Sequence, residues 1–473
     1  MQTLKTVFLP IAWGLLTALP APTVQAQSSL TAPPPDLPAR PFVLSKEQTR
    51  TLPNGLKIVV VESHSVPVVT LRLGLLAGSI LDAPDAPGLA SAVASQMTAG
   101  TDKFNSLQLR EAIEGLGGTM SVSAGQDIAT VGASALTENF TRLTEIMADV
   151  LLHPAFPVDE LATYKQLTAQ SLVLQRQQPG FLASEQFNKV VYGQHPYGVS
   201  STTPAAVQAL TPEKLRAFYQ ARYTPRGAVL VVVGDIKASA AFAQLTKTLS
   251  VWSAPAGQAV APTYPALPAV TARRIYLVNR PGSVQSNIVF GNLAIKRDDP
   301  DYYPLTPANI VLGGGFSSRL FSNVRERLGY AYDVSSALDR SALAGDFTAG
   351  AQTRTDVTAP ALKEMLRLTD QMRTMPVTEI ELQEAKSYLK GNFVLGLVTQ
   401  SGLASNLLSR ELYGLPADYL SGFRARIDAV TVADVQRMAQ KYFLADRAAI
   451  IVVGDADKLR APLKEVGEVE EVK

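Results

Sequence analysis

The spacing of apolar residues along the chain predicts short strands and longer helices in a repeated order. Alternating patterns or short apolar runs, both typical of strands, occur at 56–61, 68–76 and 229–233 and again at 274–279 and 286–292. Apolar residues three and four positions apart predict helices over 88–97, 106–117, 139–152 and 158–177. A hairpin is predicted between residues 121 and 133, and the Pro53-Asn54-Gly55 turn joins two further strands. Strand hairpins followed by blocks of helices predict an α+β fold, in which helices pack on one face of a largely antiparallel sheet.

Two segments of the chain repeat one another without a gap. Residues 210–235 read LTPEKLRAFYQARYTPRGAVLVVVGD, and residues 430–455 read VTVADVQRMAQKYFLADRAAIIVVGD. Thr211 and Thr431 take the same place in the two copies and are predicted to cap a helix, because a hydroxyl accepts from the free amides of the first turn. The Tyr-Gly dipeptides at residues 192–193 and 413–414 are a second repeated feature, formed by Tyr192-Gly193 and Tyr413-Gly414. The mature chain is therefore predicted to consist of two tandem homologous domains.

The amino terminus has the composition of a secretory signal peptide. Lys5 precedes an apolar core over residues 7–19, and small residues at 24 and 26 predict cleavage after Ala26. An anchoring helix is disfavoured, because prolines interrupt this region and its apolar core is well short of the roughly 20 residues that span a bilayer. We therefore expect a periplasmic or secreted protein without a membrane span once the signal is removed.

Proline-rich stretches mark the other boundaries. The linker between the domains contains Pro255, Pro262, Pro265 and Pro268, and apolar periodicity is lost there. The predicted divisions are a signal peptide at 1–26, a proline-rich arm at 27–46, an N-terminal domain at 47–250, a linker at 251–272 and a C-terminal domain at 273–470.

Composition excludes several kinds of chemistry. The formal net charge is +2 without a basic run, which argues against nucleic acid as a partner. The chain has no cysteine, so disulfides, thiolate metal sites and a cysteine nucleophile are excluded. Its three histidines, His64, His153 and His195, are too far apart in sequence to bracket a helical turn, and we expect His153 and His195 to be structural or surface residues.

The most distinctive stretch is GGGFSSRLFSNVRERLGYAYDV, at residues 313–334. The pattern predicts a glycine turn, a helix capped by Ser317 or Ser318 and a stop at Gly329. A strand should follow, with Tyr330, Tyr332 and Val334 alternating with Ala331 and Asp333. Arg325 on the last helical turn and Tyr332 on the strand are seven positions apart. Taken alone, they are typical of a solvated arginine and a half-buried tyrosine.

This stretch resembles the second-half motif of the insulinase/pitrilysin family of zinc peptidases (inverzincins), in its mitochondrial-processing-peptidase-like branch. In that family an arginine and a tyrosine seven residues apart reach into the active site from the half that does not hold the metal. The resemblance covers nearly all of the mature chain and implies that Arg325 and Tyr332 take these roles. It also implies that each half is an α+β sandwich and that the two halves fold towards one another.

The zinc motif of the family is degenerate in this chain. Active members carry H-x-x-E-H between a Gly-Leu-Ala and a Gly-Thr, and this frame is present at residues 88–101 as GLASAVASQMTAGT. By the resemblance, Ser91 and Ser95 replace the two histidines, Ala94 replaces the general-base glutamate, and Ser171 replaces the third ligand. Serine and alanine do not bind catalytic zinc, so no cofactor is expected in this chain.

The resemblance implies that this chain is the non-catalytic subunit of a heterodimeric periplasmic zinc metallopeptidase, inactive alone. A homologous H-x-x-E-H partner would carry the zinc, and this chain would supply Arg325 and Tyr332 for binding unfolded peptides and stabilising an oxyanion. We expect such peptides to bind as an added strand on a sheet edge. The alternative is a peptide-binding or structural member of the family without a hydrolytic role.

Overall fold

The computed structural model describes residues 45–253 and 262–472. The predicted signal peptide, nearly all of the proline-rich arm and part of the predicted linker lie outside the described residues. Two six-stranded sheets, one in each half, organise the described chain. No helix within these two ranges is both long and apolar enough to cross a membrane.

The first half contains the predicted strands and helices in the predicted order, and three helices that the sequence pattern did not predict. Its strands are β1 Glu47–Thr51, β2 Lys57–Glu62, β3 Val68–Leu75, β4 Thr119–Ala124, β5 Ala129–Leu136 and β6 Val229–Gly234. Its helices are α1 Leu89–Met97, α2 Ser106–Glu114, α3 Phe140–Leu152, α4 Val158–Arg176, α5 Pro179–Tyr192, α6 Pro204–Gln208, α7 Pro212–Arg222 and α8 Ala238–Leu249. The three helices without a predicted counterpart are α5, α6 and α8. The predicted turn joins β1 to β2, and the Asn54 side chain stabilises it by accepting from the Leu56 amide at 3.2 Å.

The second half follows the same plan. Its strands are β7 Arg274–Asn279, β8 Gln285–Leu293, β9 Ala331–Leu338, β10 Asp346–Arg354, β11 Ala449–Gly454 and β12 Val469–Val472. Its α-helices are α9 Tyr302–Asn309, α10 Thr358–Thr374, α11 Glu379–Val398, α12 Gln400–Leu412, α13 Phe423–Asp428, α14 Val432–Tyr442 and α15 Ala456–Lys464. The duplicated caps are confirmed: the Thr211 hydroxyl accepts from the Lys214 amide at 3.3 Å, and the Thr431 hydroxyl accepts from the Asp434 amide at 3.2 Å.

The two sheets share one strand order apart from an edge strand. The orders are β1-β2-β6-β3-β5-β4 and β12-β7-β11-β8-β10-β9, so the amino-terminal β1 and the carboxy-terminal β12 take equivalent edges. Most pairs are antiparallel; β2 with β6, and β7 with both β11 and β12, are parallel. This arrangement confirms the predicted α+β fold of two homologous domains, each with a largely antiparallel sheet.

Each sheet buries its second face against a helix of the other half. On β11, Ile450 and Val452 pack into the core formed with the helices of their own half. The alternate residues Ala449, Ile451 and Val453 pack against α5 of the first half. In return, α12 of the second half packs on β3 and β6. Helices therefore cover both faces of each sheet, whereas the sequence predicted helices on one face. This explains why β6 and β11 are buried along their whole length.

Two tyrosine–carboxylate pairs, one buried and one partly buried, join the halves at equivalent places. The Tyr192 hydroxyl, at the end of α5, donates to Asp346 Oδ2 at 2.7 Å across the interface. The Tyr413 hydroxyl, just after α12, donates to Asp127 Oδ2 at 3.2 Å in the opposite direction. Asp127 also accepts from the Ala342 amide of the second half at 2.8 Å. The repeated Tyr-Gly dipeptides of the sequence thus mark a reciprocal joint between the domains.

Candidate functional site

The segment that contains Arg325 is helical, but most of it is a π-helix rather than the regular helix that the sequence suggests. The π-helical segments are Ile310–Gly314 and Phe321–Arg327. In the second of these, the Leu328 amide donates to the Asn323 carbonyl five residues earlier, at 3.0 Å. The Ser318 hydroxyl accepts from the Phe321 amide at 3.4 Å, so Ser318 is the capping serine. Because π-helical turns are rare and frequently occur at functional sites, this geometry marks the segment as a candidate site.

The glycines before this helix are not a simple turn. Gly313 and Gly314 belong to the first π-helical segment, and only Gly315 is extended. A Cβ on Gly313 would lie 2.6 Å from the Ser336 amide nitrogen of β9, so a side chain is excluded there. On the same edge, the Asn309 side chain donates to the Ser336 carbonyl at 3.3 Å. The absence of a side chain at Gly313 therefore lets the helix lie directly against β9.

The strand that carries Tyr332 is irregular as well. Gln352 of β10 pairs with Asp333, whereas the next residue, Thr353, pairs with Ala331, so Tyr332 has no partner on β10. The predicted alternation of residues 330–334 is therefore wrong: Val334 is buried and Tyr332 is 81% exposed. Bulges of this kind re-aim a side chain and are over-represented next to active sites. The bulge turns the Tyr332 phenol out of the sheet into solvent.

The structure brings Arg325 and Tyr332 together. The Arg325 guanidinium carbon lies 4.5 Å from the centroid of the Tyr332 ring and 4.6 Å from that of Phe321. The Phe321 ring in turn meets Phe316 edge-on at 5.4 Å, and Phe316 is 78% exposed. Cation–π contacts of this type are attractive and hold the guanidinium in place. We call Phe316, Phe321, Arg325 and Tyr332 the Arg/Tyr surface.

The residues in the zinc-ligand positions of the first half lie on α1. Ser91 and Ser95 are exposed on one face of the helix, one turn apart, as two ligands would be. Ala94 is 1% exposed and contributes to the interior. The helix is capped by Asp82, whose carboxylate accepts from the Gly88 and Ala90 amides at 2.7 and 2.8 Å. Burial nevertheless raises the pKa of Asp82 to about 6.

The third degenerate position, Ser171, is exposed on α4, a helix that contacts α1. Its hydroxyl accepts from the Gln175 side chain at 3.4 Å. Within residues 45–253 and 262–472, no group of three or more histidine and acidic side chains could hold a metal ion. A serine hydroxyl is a poor zinc ligand and the methyl group of alanine cannot bind a metal. The side chains at these four positions therefore do not fit zinc.

The frame around the lost motif has a structural role of its own. The Thr101 hydroxyl donates to Asp149 Oδ2 at 2.6 Å, and Gly100 and Thr101 form isolated bridges with Asn105 and Pro154. The Asp149 side chain is almost completely buried, and His153 Nδ1 and Lys103 Nζ each approach it to 3.3 Å. Gly100 and Thr101 therefore have a packing role that does not depend on bound zinc.

Sequence reasoning missed the aromatic part of this surface. The predicted helix begins at Ser317 or Ser318, so it includes Phe321 but not Phe316. The pattern gave no sign that Phe321 would contact Arg325 or that Phe316 would pack against Phe321. The spacing of Phe321 and Arg325, four residues apart, is the signal that could have indicated a contact between them.

Comparisons with known proteins place this geometry in a family. Residues 57–204 match the sequence model for insulinase (peptidase family M16), and residues 209–389 match the model for the peptidase M16 inactive domain. An uncharacterized zinc protease of Streptomyces coelicolor is 27% identical over 85% of this chain and 88% of its own length. A probable mitochondrial-processing peptidase subunit beta of Arabidopsis thaliana is 22% identical over 90% of this chain and 82% of its own length.

Solved structures agree with this placement. A peptidase M16 inactive domain from Pseudomonas fluorescens superimposes with a TM-score of 0.80 and 30% identity, covering 86% of this chain and 98% of that one. A protease from Helicobacter pylori shares the fold with a TM-score of 0.82 at 21% identity, covering 87% of this chain and 100% of that one. Two homologous α+β domains, together with these family matches, define a peptidase-like protein. The chain belongs to the insulinase family, peptidase family M16.

Proposed function

We propose that this chain is the non-catalytic subunit of a heterodimeric zinc metallopeptidase, and that it acts in the periplasm or outside the cell. The observation that carries the proposal is the Arg/Tyr surface. Arg325 stands on a π-helix, Tyr332 stands on a strand bulge, and the two side chains are in contact. Irregular backbone of this kind costs free energy and is typical of functional sites. A purely structural subunit has no need of it.

The residue types determine which half of the active site this chain can supply. The positions of Ser91, Ala94, Ser95 and Ser171 contain neither metal ligands nor a general base, so this chain cannot supply the zinc half of the site. A homologous partner with H-x-x-E-H would supply the metal, its ligands and the general-base glutamate. The zinc-peptidase relatives and the M16 match support a partner of this kind.

In this proposal Tyr332 and Arg325 act on the peptide. Hydrolysis of a peptide bond passes through a tetrahedral oxyanion, and a hydroxyl donor aimed at that oxygen stabilises the transition state more than the ground state. Tyr332, with its phenol exposed, would donate to this oxyanion. Arg325 contacts two rings and has no hydrogen-bond acceptor among the described residues, so its N–H groups would hold a neighbouring carbonyl of the substrate.

The sheet edges favour an extended, unfolded peptide as the ligand. The outer edge of β9 is already occupied, because Asn309 donates to the Ser336 carbonyl and the π-helix lies against it. On β4, the outer edge makes no backbone hydrogen bond to another described residue, and the strand contains neither charge nor proline. An open, uncharged edge of this kind accepts an added strand. We therefore propose β4 as the edge in this chain at which a peptide can bind.

Reconstitution tests the proposal. The mature chain, an H-x-x-E-H homologue from the same organism and their mixture would each be assayed with an internally quenched peptide. We expect two inactive chains and an active, chelator-sensitive one-to-one complex, with an interface larger than about 1,000 Å². If the homologue alone is as active as the mixture, this chain does not complete the site. If the complex forms but is inactive, the chain is a peptide-binding or structural member instead.

A further inference from the structure

A pocket of about 410 Å³ opens beside the Arg/Tyr surface. It lies where β8 begins, β10 ends and β9 begins, and side chains from all three strands reach it. The residues that matter are Gln285, Arg325, Tyr330, Tyr332, Gln352 and Arg354. We call it the Arg325 pocket. Tyr330 lines it together with Tyr332.

The hydrogen-bonding groups of Arg325 are free in this pocket. Its guanidinium contacts the rings of Phe321 and Tyr332, and it forms neither an ion pair nor a hydrogen bond with any residue in the described ranges. Because no described residue accepts a hydrogen bond from the guanidinium, its N–H groups are available to a ligand. A planar fork of donors matches the two oxygens of a carboxylate.

A second arginine faces the same space. Arg354 approaches Asp356 through its Nε at 3.3 Å, but both side chains are more than half exposed, so this pair is weak and can exchange for a ligand. In the same lining, the Gln352 amide donates to Gln285 Oε1 at 2.9 Å. This bond leaves the Gln285 amide group free to donate.

The lining of the pocket contains positively charged side chains and no negatively charged ones. Two arginines and two glutamines contribute donors, and no aspartate or glutamate is among the residues that line it. A cationic or apolar side chain would gain little there. A carboxylate that enters the pocket finds two arginines in its lining.

We infer that the Arg325 pocket binds a carboxylate of the peptide, either its terminal carboxylate or the side chain of an aspartate or glutamate. The inference rests on the proposed function in one respect, namely that peptides reach the Arg/Tyr surface. Arg325 has N–H groups enough to serve both the substrate carbonyl and, together with Arg354, the carboxylate. The chain thereby gives the peptidase a preference for acidic peptides, or for peptides that end near the scissile bond.

Peptide binding to the mature chain alone tests this inference without the partner. Fluorescence anisotropy would compare matched peptides that differ only in a free or amidated terminus, and a second pair that differs only in Glu or Gln. We expect the carboxylate form of at least one pair to bind about fivefold to tenfold more tightly, because hydrogen bonds to charged groups are stronger than neutral ones but are screened at an open site. The pair that shows the difference identifies the source of the carboxylate.

Variants locate the effect. Arg354→Glu should abolish the preference or reverse it, and Arg354→Gln should reduce it. Arg447→Gln, an exposed arginine outside the pocket, is the matched control and should leave the preference intact. Added salt should weaken the carboxylate peptides more than the neutral ones.

The outcomes separate this inference from the proposed function. Equal affinity within both pairs, or no binding of any peptide at millimolar concentration, would overturn the carboxylate site even if the reconstituted complex is active. A carboxylate preference that Arg354→Glu removes would establish the site even if the complex hydrolyses nothing.

Discussion

The Arg325 guanidinium lies 4.5 Å from the centroid of the Tyr332 ring, so the two side chains of the second-half motif form one unit. They come from different elements, a π-helix and a bulged strand, that are held together because Gly313 lets the preceding π-helical segment lie against β9. Since neither side chain is placed by regular secondary structure, their contact depends on tertiary packing. Perturbing one should therefore affect the orientation of the other.

Arg325→Ala in the heterodimer should raise KM more than it lowers kcat. An arginine that holds a substrate carbonyl in both the ground state and the transition state contributes mainly uniform binding. The loss of one charge-assisted contact predicts an increase in KM of roughly tenfold. Steady-state kinetics with Arg447→Ala as the control would measure this. A fall in kcat that exceeds the rise in KM would show that Arg325 acts mainly in the transition state.

The purified chain should hold no stoichiometric zinc and cleave no peptide on its own. Ser91 and Ser95 occupy the exposed face of α1 where two ligands are required, and Ser171 replaces the third. Metal analysis after dialysis, with an H-x-x-E-H homologue as the positive control, would check this. One tightly held zinc per chain, or chelator-sensitive activity without a partner, would contradict it.

The joint between the domains predicts a defined pH dependence. Burial raises the pKa of Asp346 to about 6 from an ordinary 3.8, although the Tyr192 hydroxyl donates to the carboxylate. The folded protein thus holds this proton more tightly than the unfolded chain does, and the contribution of Asp346 to stability falls as pH rises from about 4 to about 6. Asp346→Asn should remove this dependence.

Urea unfolding of wild type and Asp346→Asn at about pH 4.5 and about pH 7.5 would measure the effect. The quantity to compare is the free energy of unfolding of the variant minus that of wild type. We expect this difference to be larger at the higher pH than at the lower pH by about 1–3 kcal/mol. Asp298→Asn, at a half-exposed position, is the control and should show little change. A relative change of the opposite sign would mean that the Asp346 carboxylate is stabilised in its charged form.

The exchange of helices between halves predicts that α12 supports the first sheet. Leu408 is 3% exposed, and a Cβ on Gly74 of β3 would lie 3.0 Å from Leu408 Cδ1. Leu408→Ala should therefore lower the free energy of unfolding by about 2–4 kcal/mol, as expected for a cavity in a core. Leu395→Ala, at a position 69% exposed, should stay within about 0.5 kcal/mol of wild type. Equal effects of the two substitutions would show that α12 does not form a common core with the sheet.

Much of the fold could be predicted from the sequence, because the spacing of apolar residues and the internal repeat determine it locally. The apolar runs of β6 and β11, the caps at Thr211 and Thr431 and the duplicated segments all depend on neighbouring residues in the chain. The partner of α5 could not be predicted in this way. No helix was predicted over its residues, and only the tertiary structure shows that it lies on the sheet of the other half.

The candidate site was less accessible to sequence reasoning. Arg325 and Tyr332 were found through the family motif, but the pattern of apolar residues predicted a regular helix and a regular strand around them. The π-helix and the bulge each shift the register of their segment, and contacts between distant residues fix where that shift falls. The closeness of Gly313 to Ser336 is such a contact, and nothing in the local sequence specifies it.

In the proposed heterodimer, Tyr332 completes an active site that the partner chain begins. Tyr332→Phe keeps the ring and its contact with Arg325 and removes only the exposed hydroxyl, so assembly should be unchanged. Tyr388→Phe removes a hydroxyl from a half-exposed ring on α11 and is the matched control. Both variants would be assembled with the same H-x-x-E-H partner.

Steady-state kinetics of these two heterodimers and of wild type is the most direct measurement. We predict that Tyr332→Phe lowers kcat by about 10²–10³ with a much smaller change in KM, because losing one oxyanion donor costs about 3 kcal/mol in the transition state. Tyr388→Phe should stay within a few-fold of wild type. A Tyr332→Phe heterodimer that assembles normally and keeps a near-normal kcat would contradict the catalytic role and leave the Arg325–Tyr332 pair as a structural contact.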